Sequence, residues 1–458
     1  MRLHFNGHRI SLHVFVVCAA CVESVSKESG GDAGVNTTFI LFFSFFALMA
    51  IGVPIAVSLG GSAILAILVG LKVPLIITAQ TMFNGINSFP LMAIPFFILA
   101  GNMMCNGGIS KRLIAFVNLF FSRFTGGLAM VSIGASMIFA AISGSCPATT
   151  AAIGGIMVDE MEKNGYDKAF TGATVAAAGT VGQVIPPSIP MVTYSVLAGT
   201  SISTLFLCGV GPGIVMGISM MVVAYLYAKK NKVPKVKLKV TPAIFFKTLL
   251  HSSWALMMPV IILGGIYSGI FTPTEAGAVS AVYGLIVGMF VYRDLKPKDV
   301  PKVVFDSAVA SAVIMLIMAC VQTFCYVLTR EQIPQMISTA LLSLTQNKYV
   351  MLLIFNIIVL IAGCFLQSSA AIALLTPILL PVMTAVGINP YTVGIVFIVN
   401  MGIGMVTPPV GNCLYVACNI TNLKFEAIVK AIVPYLIALF IALMLVTYVE
   451  PISMFLIR

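Results

Sequence analysis

Two pairs of adjacent prolines stand inside long uncharged segments of this chain, at Pro186–Pro187 and Pro408–Pro409. Proline has no backbone N–H, and inside a helix its ring clashes with the carbonyl group four residues earlier, at a cost of about 3 kcal/mol or more. Each pair therefore predicts a break between two half-helices, with bare carbonyl groups on one side and bare N–H groups on the other. The carbonyl end attracts a cation and the N–H end attracts an anion. A simple kink is the alternative interpretation.

A short polar patch lies upstream of each proline pair. The patches read AISGSCPATTAA at 141–152 and CFLQSSAAIALLTP at 364–377. The apolar run that follows each patch is estimated at about a dozen residues, too short to cross a hydrocarbon core of roughly 30 Å. The pattern therefore predicts two re-entrant hairpins with polar tips. Their hydroxyl and amide oxygens are ligands that hard cations prefer, although small residues can also serve only close helix packing.

Charged side chains and histidine are missing from these elements. Residues 143–158, 182–202, 366–390 and 402–423 contain no Asp, Glu, His, Lys or Arg. A proton-coupled carrier usually keeps a titratable residue near mid-membrane, so the sequence favours coupling to a cation, such as Na⁺, through neutral oxygens. A bound Na⁺ would leave the site positive, which suits an anionic substrate.

The two proline pairs belong to an internal repeat. Their offset is 408 minus 186, or 222 residues, and the same shift aligns further glycines and prolines: Gly165 with Gly387, Gly172 with Gly394, Gly182 with Gly404, and Pro212 with Pro434. Two related halves, each with an interrupted span at the matching position, are typical of secondary transporters whose binding site lies between the halves. The number of spans in one period favours an inverted repeat.

The composition fixes the fold class. The 458 residues are 60% hydrophobic and 9% charged, against roughly 25% charged residues in soluble domains. We therefore predict an all-α, multi-pass membrane protein, with about 11–12 spanning helices, two re-entrant hairpins and two broken helices. The net charge of +11 is carried mostly by short loops, as the positive-inside rule predicts. The lipid bilayer, and no nucleic acid, is the expected environment.

The predicted organisation has four parts. Residues 1–36 contain three histidines and a C-x-x-C; a metal tract or a signal sequence is possible, but an extension outside the core fold is preferred. The other parts are the first repeat at 37–228, a basic cytoplasmic loop with linking spans at 229–306, and the second repeat at 307–458. Within the repeats we place hairpins at about 143–164 and 366–386, and broken helices at about 168–200 and 390–422.

The sequence lacks the residues that a membrane enzyme or an ATP-driven pump would need. His251 is the only histidine after position 13, and the chain has no phosphate-binding loop of the type G-x-x-x-x-G-K-[ST]. We therefore predict neither a membrane enzyme nor an ATP-driven pump. An ion channel with a continuous pore and a carrier that works without a binding protein stay as alternatives.

Several motifs together resemble one family. They are SFPLMAIPFFILAGNMM at 88–104, SGSCPATTAA at 143–152, GQVIPPSIP at 182–190, GIYSGIFTPTEAGAVSAVYG at 265–284, TPPVGN at 407–412 and VPY at 433–435. From about Thr38 to the C-terminus the sequence resembles the large membrane subunit of tripartite ATP-independent periplasmic (TRAP) transporters.

The resemblance implies an elevator-type importer driven by a Na⁺ gradient in the bacterial inner membrane. It also implies two partners, a small membrane subunit and a periplasmic substrate-binding protein. The substrates would be organic acid anions, of the sialic acid or C4-dicarboxylate type, with sialic acid preferred.

The resemblance further implies that hairpin tips and helix breaks form the binding sites. Carried over by position, the expected Na⁺ ligands are Ser143, Gly144, Ser145, Gly182, Pro186, Gln367, Ser368, Gly404, Thr407 and Pro408. The expected substrate contacts are Thr149, Pro187, Ser188, Ser369, Gly411 and Asn412.

Overall fold

The computed structural model describes residues 37–71, 73–233 and 241–457, and these residues form helices joined by short loops. We number the helices α1 (Thr37–Ala50), α2 (Ile55–Leu65), α3 (Ile76–Ile86), α4 (Ala93–Asn106), α5 (Ile109–Phe121), α6 (Gly127–Ser143), α7 (Cys146–Lys163), α8 (Lys168–Gly179), α9 (Ile189–Ala198), α10 (Ile202–Lys230), α11 (Pro242–Tyr267), α12 (Pro273–Ile286), α13 (Val300–Arg330), α14 (Ile333–Leu344), α15 (Lys348–Phe365), α16 (Ser368–Ala385), α17 (Pro390–Gly404), α18 (Asn412–Thr421), α19 (Phe425–Tyr448) and α20 (Pro451–Met454). The predicted all-α membrane class is confirmed.

The chain divides into two compact units. The first comprises residues up to Ser88 together with Ala312–Leu344 and Ala373–Val382. Inside it, α1, α2 and α3 pack around the second half of α13. Phe45 stacks edge-on against Phe324, Gly60 lies against Cys320, and the Thr81 and Thr323 hydroxyls are 3.0 Å apart.

The second unit comprises Phe89–Ser311, Thr345–Ile372 and Met383–Arg458. Here α4 and α12 lie closely together, because Gly277 and Gly284, seven residues apart on α12, leave room for Phe96 and Met104. The first predicted hairpin, the tip of the second hairpin and both predicted breaks lie in this unit, whereas residues 373–382 of the second hairpin belong to the first unit. The candidate site is therefore described within the second unit.

The two broken helices interlock. α8 packs on α18 and α19, whereas α17 packs on α9 and α10. Gly172 of α8 lies against Thr421 and Ile428, and its repeat counterpart Gly394 of α17 lies against the Tyr194 ring. Each half-helix before a break therefore packs on elements of the other half of the sequence in addition to a helix of its own half, α7 for α8 and α15 for α17.

The two hairpin arms differ from each other. The sequence predicts an apolar run of about a dozen residues after each tip, and in α7 the apolar part does end before Asp159, whereas α16 is uncharged over all 18 of its residues. The helix α7 runs on through the charged residues Asp159–Lys163. The helix α16 continues through Pro377, and the Cys325 thiol lies 3.9 Å from the carbonyl of Ala373 that this proline leaves without its helical donor.

Eight described helices are long and apolar enough to cross a membrane, and α16 is one of them. Six further apolar helices have 10–17 residues. The count of about 11–12 spans depends on these shorter helices and stays a prediction. The sequence did not predict α3 or α20. Residues 1–36, with their histidines and C-x-x-C, and residues 234–240 of the lysine-rich loop lie outside the described residues.

Candidate functional site

The first hairpin tip joins α6 to α7. α6 ends at Ser143 because Gly144 adopts a left-handed conformation, with φ of 59°. Ser145 is extended, and α7 then begins at Cys146 with Pro147 in its first turn. The Ser143 and Thr149 hydroxyls are 2.7 Å apart, and Thr149 also donates to the Ser145 carbonyl at 2.9 Å. These bonds brace the tip, while the half-buried Ser145 side chain stays accessible.

The first helix break separates α8 from α9. After α8 a single tight turn covers Thr180–Gln183, and α9 starts only at Ile189. Pro186 and Pro187 cannot donate to the carbonyls four residues earlier, those of Gly182 and Gln183. The Ser188 hydroxyl donates to the Gln183 carbonyl instead. The carbonyl of Gly182 is left without the donor that a continuous helix would supply.

The hairpin tip and the break are in direct contact. The Ile189 N–H, at the start of α9, donates to the Gly144 carbonyl at 3.3 Å. A Cβ atom placed on Gly182 would lie 2.6 Å from the Ser145 carbonyl oxygen and 2.7 Å from the Thr149 hydroxyl. The proline pair and the polar patch, which are well separated in sequence, thus form one arrangement of neutral oxygens.

The second break differs from the first. Pro408 and Pro409 again remove the donors to Gly404 and Met405, but here the backbone N–H groups of Thr407 and Cys413 take over at 3.1 and 3.0 Å. α18 begins after Gly411, which has φ of 53°. Pro186, Pro187 and Ser188 are buried, whereas the second break is more open: Thr407, Pro408, Val410 and Asn412 are half-buried and Pro409 is exposed.

Gln183 connects the two halves. Its side chain is 2% exposed, and its Oε1 accepts a 2.8 Å hydrogen bond from the Ser368 hydroxyl at the second hairpin tip. Its Nε2 donates to the Ile398 carbonyl of α17 at 3.2 Å. Gln183 lies inside the predicted break but is not among the predicted ion or substrate ligands, and its repeat counterpart, 222 residues on, is Met405. The feature of the sequence that could have identified Gln183 is that it places a polar amide side chain inside an uncharged segment interrupted by prolines.

The structure brings together most of the first set of predicted residues. Around the first tip and break lie Ser143, Gly144, Ser145, Thr149, Gly182, Pro187 and Ser188, and Pro186 is in the same break. Ser368 joins them through Gln183. Ser369 is buried and Gln367 half-buried beside it in sequence.

The second break is not joined to its own hairpin tip in the same way. Gly404 packs on Gly363 near the end of α15, where a Cβ atom would lie 2.5 Å from the Gly363 carbonyl carbon. Thr407 and Asn412 make contacts within their own segment. The Thr407 hydroxyl donates to the Ile403 carbonyl at 2.7 Å, and the Asn412 amide contacts the Met405 sulfur at 3.6 Å. A Cβ atom placed on Gly402 would instead lie 3.2 Å from the Thr180 carbonyl oxygen of the first break.

Neutral oxygens and amides dominate this arrangement. Within residues 37–71, 73–233 and 241–457 no group of three or more His, Cys, Asp or Glu residues could hold a metal ion. The chemistry available at the tips and breaks is that of carbonyl, hydroxyl and amide dipoles, which can solvate an alkali cation or a small anion.

Comparison with known proteins decides the family. Residues 42–452 match the family described as tripartite ATP-independent periplasmic transporter, DctM component. The chain belongs to this family. The predicted membership among TRAP large permeases is thereby confirmed.

The relatives of this TRAP large permease are named after different substrates. It is 45% identical over 421 residues to an isethionate TRAP transporter permease of Oleidesulfovibrio alaskensis, covering 91% of this chain and 66% of that protein. It is 44% identical over 401 residues to a C4-dicarboxylate large permease of Pseudomonas aeruginosa, covering 87% and 93%. A sialic acid large permease of Vibrio cholerae is 37% identical over 407 residues, covering 88% and 94%.

The fold of this TRAP permease is also similar to that of a more distant transporter. The YdaH transporter of Alcanivorax borkumensis superimposes with a TM-score of 0.60 at 13% identity, over 90% of this chain and 98% of that one. The similarity extends over nearly the whole chain and concerns the fold alone.

Proposed function

We propose that this TRAP large permease is a Na⁺-coupled secondary active importer of small organic acid anions. It acts in the bacterial inner membrane, by an elevator-type movement, together with a small membrane subunit and a periplasmic substrate-binding protein. The observation that carries the proposal is the uncharged junction of the first hairpin tip with the first helix break.

The coupling ion is placed at that junction. Pro186 deprives the Gly182 carbonyl of its helical donor, and Gly182 lies against Ser145, whose side chain is accessible. The Ser145 carbonyl and the Ser143 and Thr149 hydroxyls of the same tip add neutral oxygens of the kind that bind hard cations. A second ion is proposed at Gln367–Ser369 and Thr407, where a half-buried amide and hydroxyl lie in the corresponding elements.

The substrate is proposed to bind at the more open second break, beside Gly411 and the first turn of α18. The start of a helix favours an anion, and bound Na⁺ supplies positive charge that the uncharged segments lack. Isethionate, C4-dicarboxylates and sialic acid differ in size but are all anions, so the relatives support the class of substrate. A sialic acid or C4-dicarboxylate is proposed.

The Ser145 hydroxyl provides the test of the ion site. We expect Ser145→Ala to raise the Na⁺ concentration for half-maximal uptake by about tenfold, since a lost ligand to a charged group is worth roughly 1.5 kcal/mol. Uptake of a radiolabelled organic acid would be measured in proteoliposomes containing the whole transporter, over a range of NaCl at constant ionic strength. Ser368→Ala should act in the same direction through Gln183.

Ser343→Ala is the matched control, because Ser343 is accessible and donates only to its own helix at Ala340. Unchanged Na⁺ activation in Ser145→Ala and Ser368→Ala would contradict the proposed ion site. A flux that persists without Na⁺ and does not saturate would favour a channel. Full uptake without the binding protein would favour a stand-alone carrier.

A further inference from the structure

A polar cavity lies away from the hairpins, among α5, α11 and residues 291–294, which follow α12. It has a volume of about 730 Å³. Its charged lining consists of Lys111, Arg112, Lys247 and Asp294, with His251 beside them. Three cations and one carboxylate leave two positive charges, with histidine counted as neutral. This cavity is a charged feature that the transport proposal leaves unused.

Arg112 forms the fixed part of the cavity. One of its N–H groups bonds the Asp294 carboxylate at 2.5 Å, and its guanidinium carbon lies 3.8 Å from the centre of the Tyr292 ring. The Tyr292 hydroxyl donates to the His251 carbonyl and accepts from the Ala255 N–H, both at 3.0 Å. The Ser252 hydroxyl donates to the Arg112 carbonyl at 2.9 Å. These bonds connect α5 and α11 with the segment that follows α12.

The remaining cations are free to bind a ligand. Lys111, Lys247 and His251 are exposed, and within the described part of the chain neither lysine has an ion pair. The Nε–H of Arg112 is buried and has no acceptor among the described residues. Two mobile ammonium groups beside a fixed guanidinium match a phosphate diester, which offers several strong acceptor oxygens.

The cavity is also bordered by apolar side chains that face outward. Leu250 is 76% exposed, Trp254 is 48% exposed and Val291 is 38% exposed, and all three line the cavity. Tryptophan favours the boundary between membrane and water, and basic pockets at that depth attract anionic headgroups. A free phosphate ion would use the cations but would leave this apolar rim without a partner.

From this combination we propose that the cavity binds the headgroup of an anionic phospholipid. The phosphate diester is held by Lys111, Lys247 and Arg112, and the acyl chains lie along Leu250, Trp254 and Val291. The site holds one lipid against the junction of α5, α11 and α12, and it is independent of the ion and substrate sites.

The single tryptophan of the chain lines this cavity, which gives a direct test. The full chain would be reconstituted in phosphatidylcholine bilayers, and Trp254 fluorescence would be titrated with phosphatidylglycerol or phosphatidylcholine that carries bromine on its acyl chains. We expect brominated phosphatidylglycerol to quench with an apparent affinity about fivefold higher or more, given the attraction of each basic residue for anionic lipid. Combined Lys111→Gln and Lys247→Gln substitutions should remove this preference.

The control combines Lys298→Gln with Lys302→Gln, two exposed lysines close in sequence that do not line the cavity. This variant should keep the preference. Equal quenching by the two lipids in the unaltered chain, or an equal loss of preference in the control, would overturn the proposal. Displacement of the brominated lipid by inorganic phosphate, compared with chloride at the same ionic strength, would reassign the cavity to free phosphate and would equally overturn it.

Discussion

Gly182→Ala is expected to abolish most uptake and to destabilise the folded protein, while Gly155→Ala is expected to do neither. An added Cβ at Gly182 would lie 2.6 Å from the Ser145 carbonyl and 2.7 Å from the Thr149 hydroxyl, both of which are held by other bonds. Overpacking of this kind costs about 1–3 kcal/mol. Since about 1.4 kcal/mol corresponds to a factor of ten in a rate, we expect initial uptake to fall about tenfold or more.

Gly155 makes a sharp control because it lies in the arm α7 of the same hairpin, and a Cβ there would meet nothing within 4 Å. Alanine at an open helix position is favoured by up to about 1 kcal/mol over glycine. The measurements are uptake in proteoliposomes and the midpoint of thermal unfolding in detergent. Normal uptake by Gly182→Ala would mean that the tip and the break are not in contact during transport.

Gln183→Met is expected to give the second large effect. Methionine keeps the length of the side chain but removes both hydrogen bonds, which leaves the Ser368 hydroxyl buried without this acceptor and takes the additional side-chain donor away from the Ile398 carbonyl in α17. Each unsatisfied group costs about 1–3 kcal/mol. We expect lower thermal stability together with a roughly tenfold or greater loss of uptake, because the link between the two halves is removed.

A double-mutant cycle separates this link from general damage. Ser368→Ala added to Gln183→Met should cost less than it does in the unaltered protein, since the hydroxyl has already lost its partner. Gln335→Met, on the exposed surface of α14, controls for the amide-to-thioether change. Strict additivity of the two substitutions would contradict a direct Gln183–Ser368 interaction.

Much of the fold follows from local chemistry. A proline pair must end a helix because two N–H groups are missing, and Gly144 and Gly411 supply the left-handed turns that flank the tips and breaks. The proline pairs and the polar patches therefore predicted both breaks and both hairpin tips. The arm α16 is longer than expected because the helix continues through Pro377, and the Cys325 thiol lies 3.9 Å from the Ala373 carbonyl that this proline leaves free.

The candidate site was less predictable, because its contacts join positions far apart in sequence. Gln183 meets Ser368 and Ile398 only through tertiary packing, and the internal repeat pointed away from it by placing a methionine at its counterpart. The repeat also suggests two equal breaks, yet Ser188 caps the first, whereas Cys413 and Thr407 satisfy the second. Such differences depend on single residues, and an alignment of the two halves does not show which hydrogen bonds those residues make.

The contacts between the two broken helices can form only after most of the chain has been synthesised. α8 ends at residue 179, while its neighbour α18 begins at residue 412, which is 233 positions later. At roughly 5–20 residues per second, the ribosome needs on the order of 10 s or more to make that stretch. During this interval α8 can pack on α7, but the faces that contact α18 and α19 in the folded protein have no protein partner. The nascent chain therefore passes through a period in which these faces must be shielded by lipid or by other proteins.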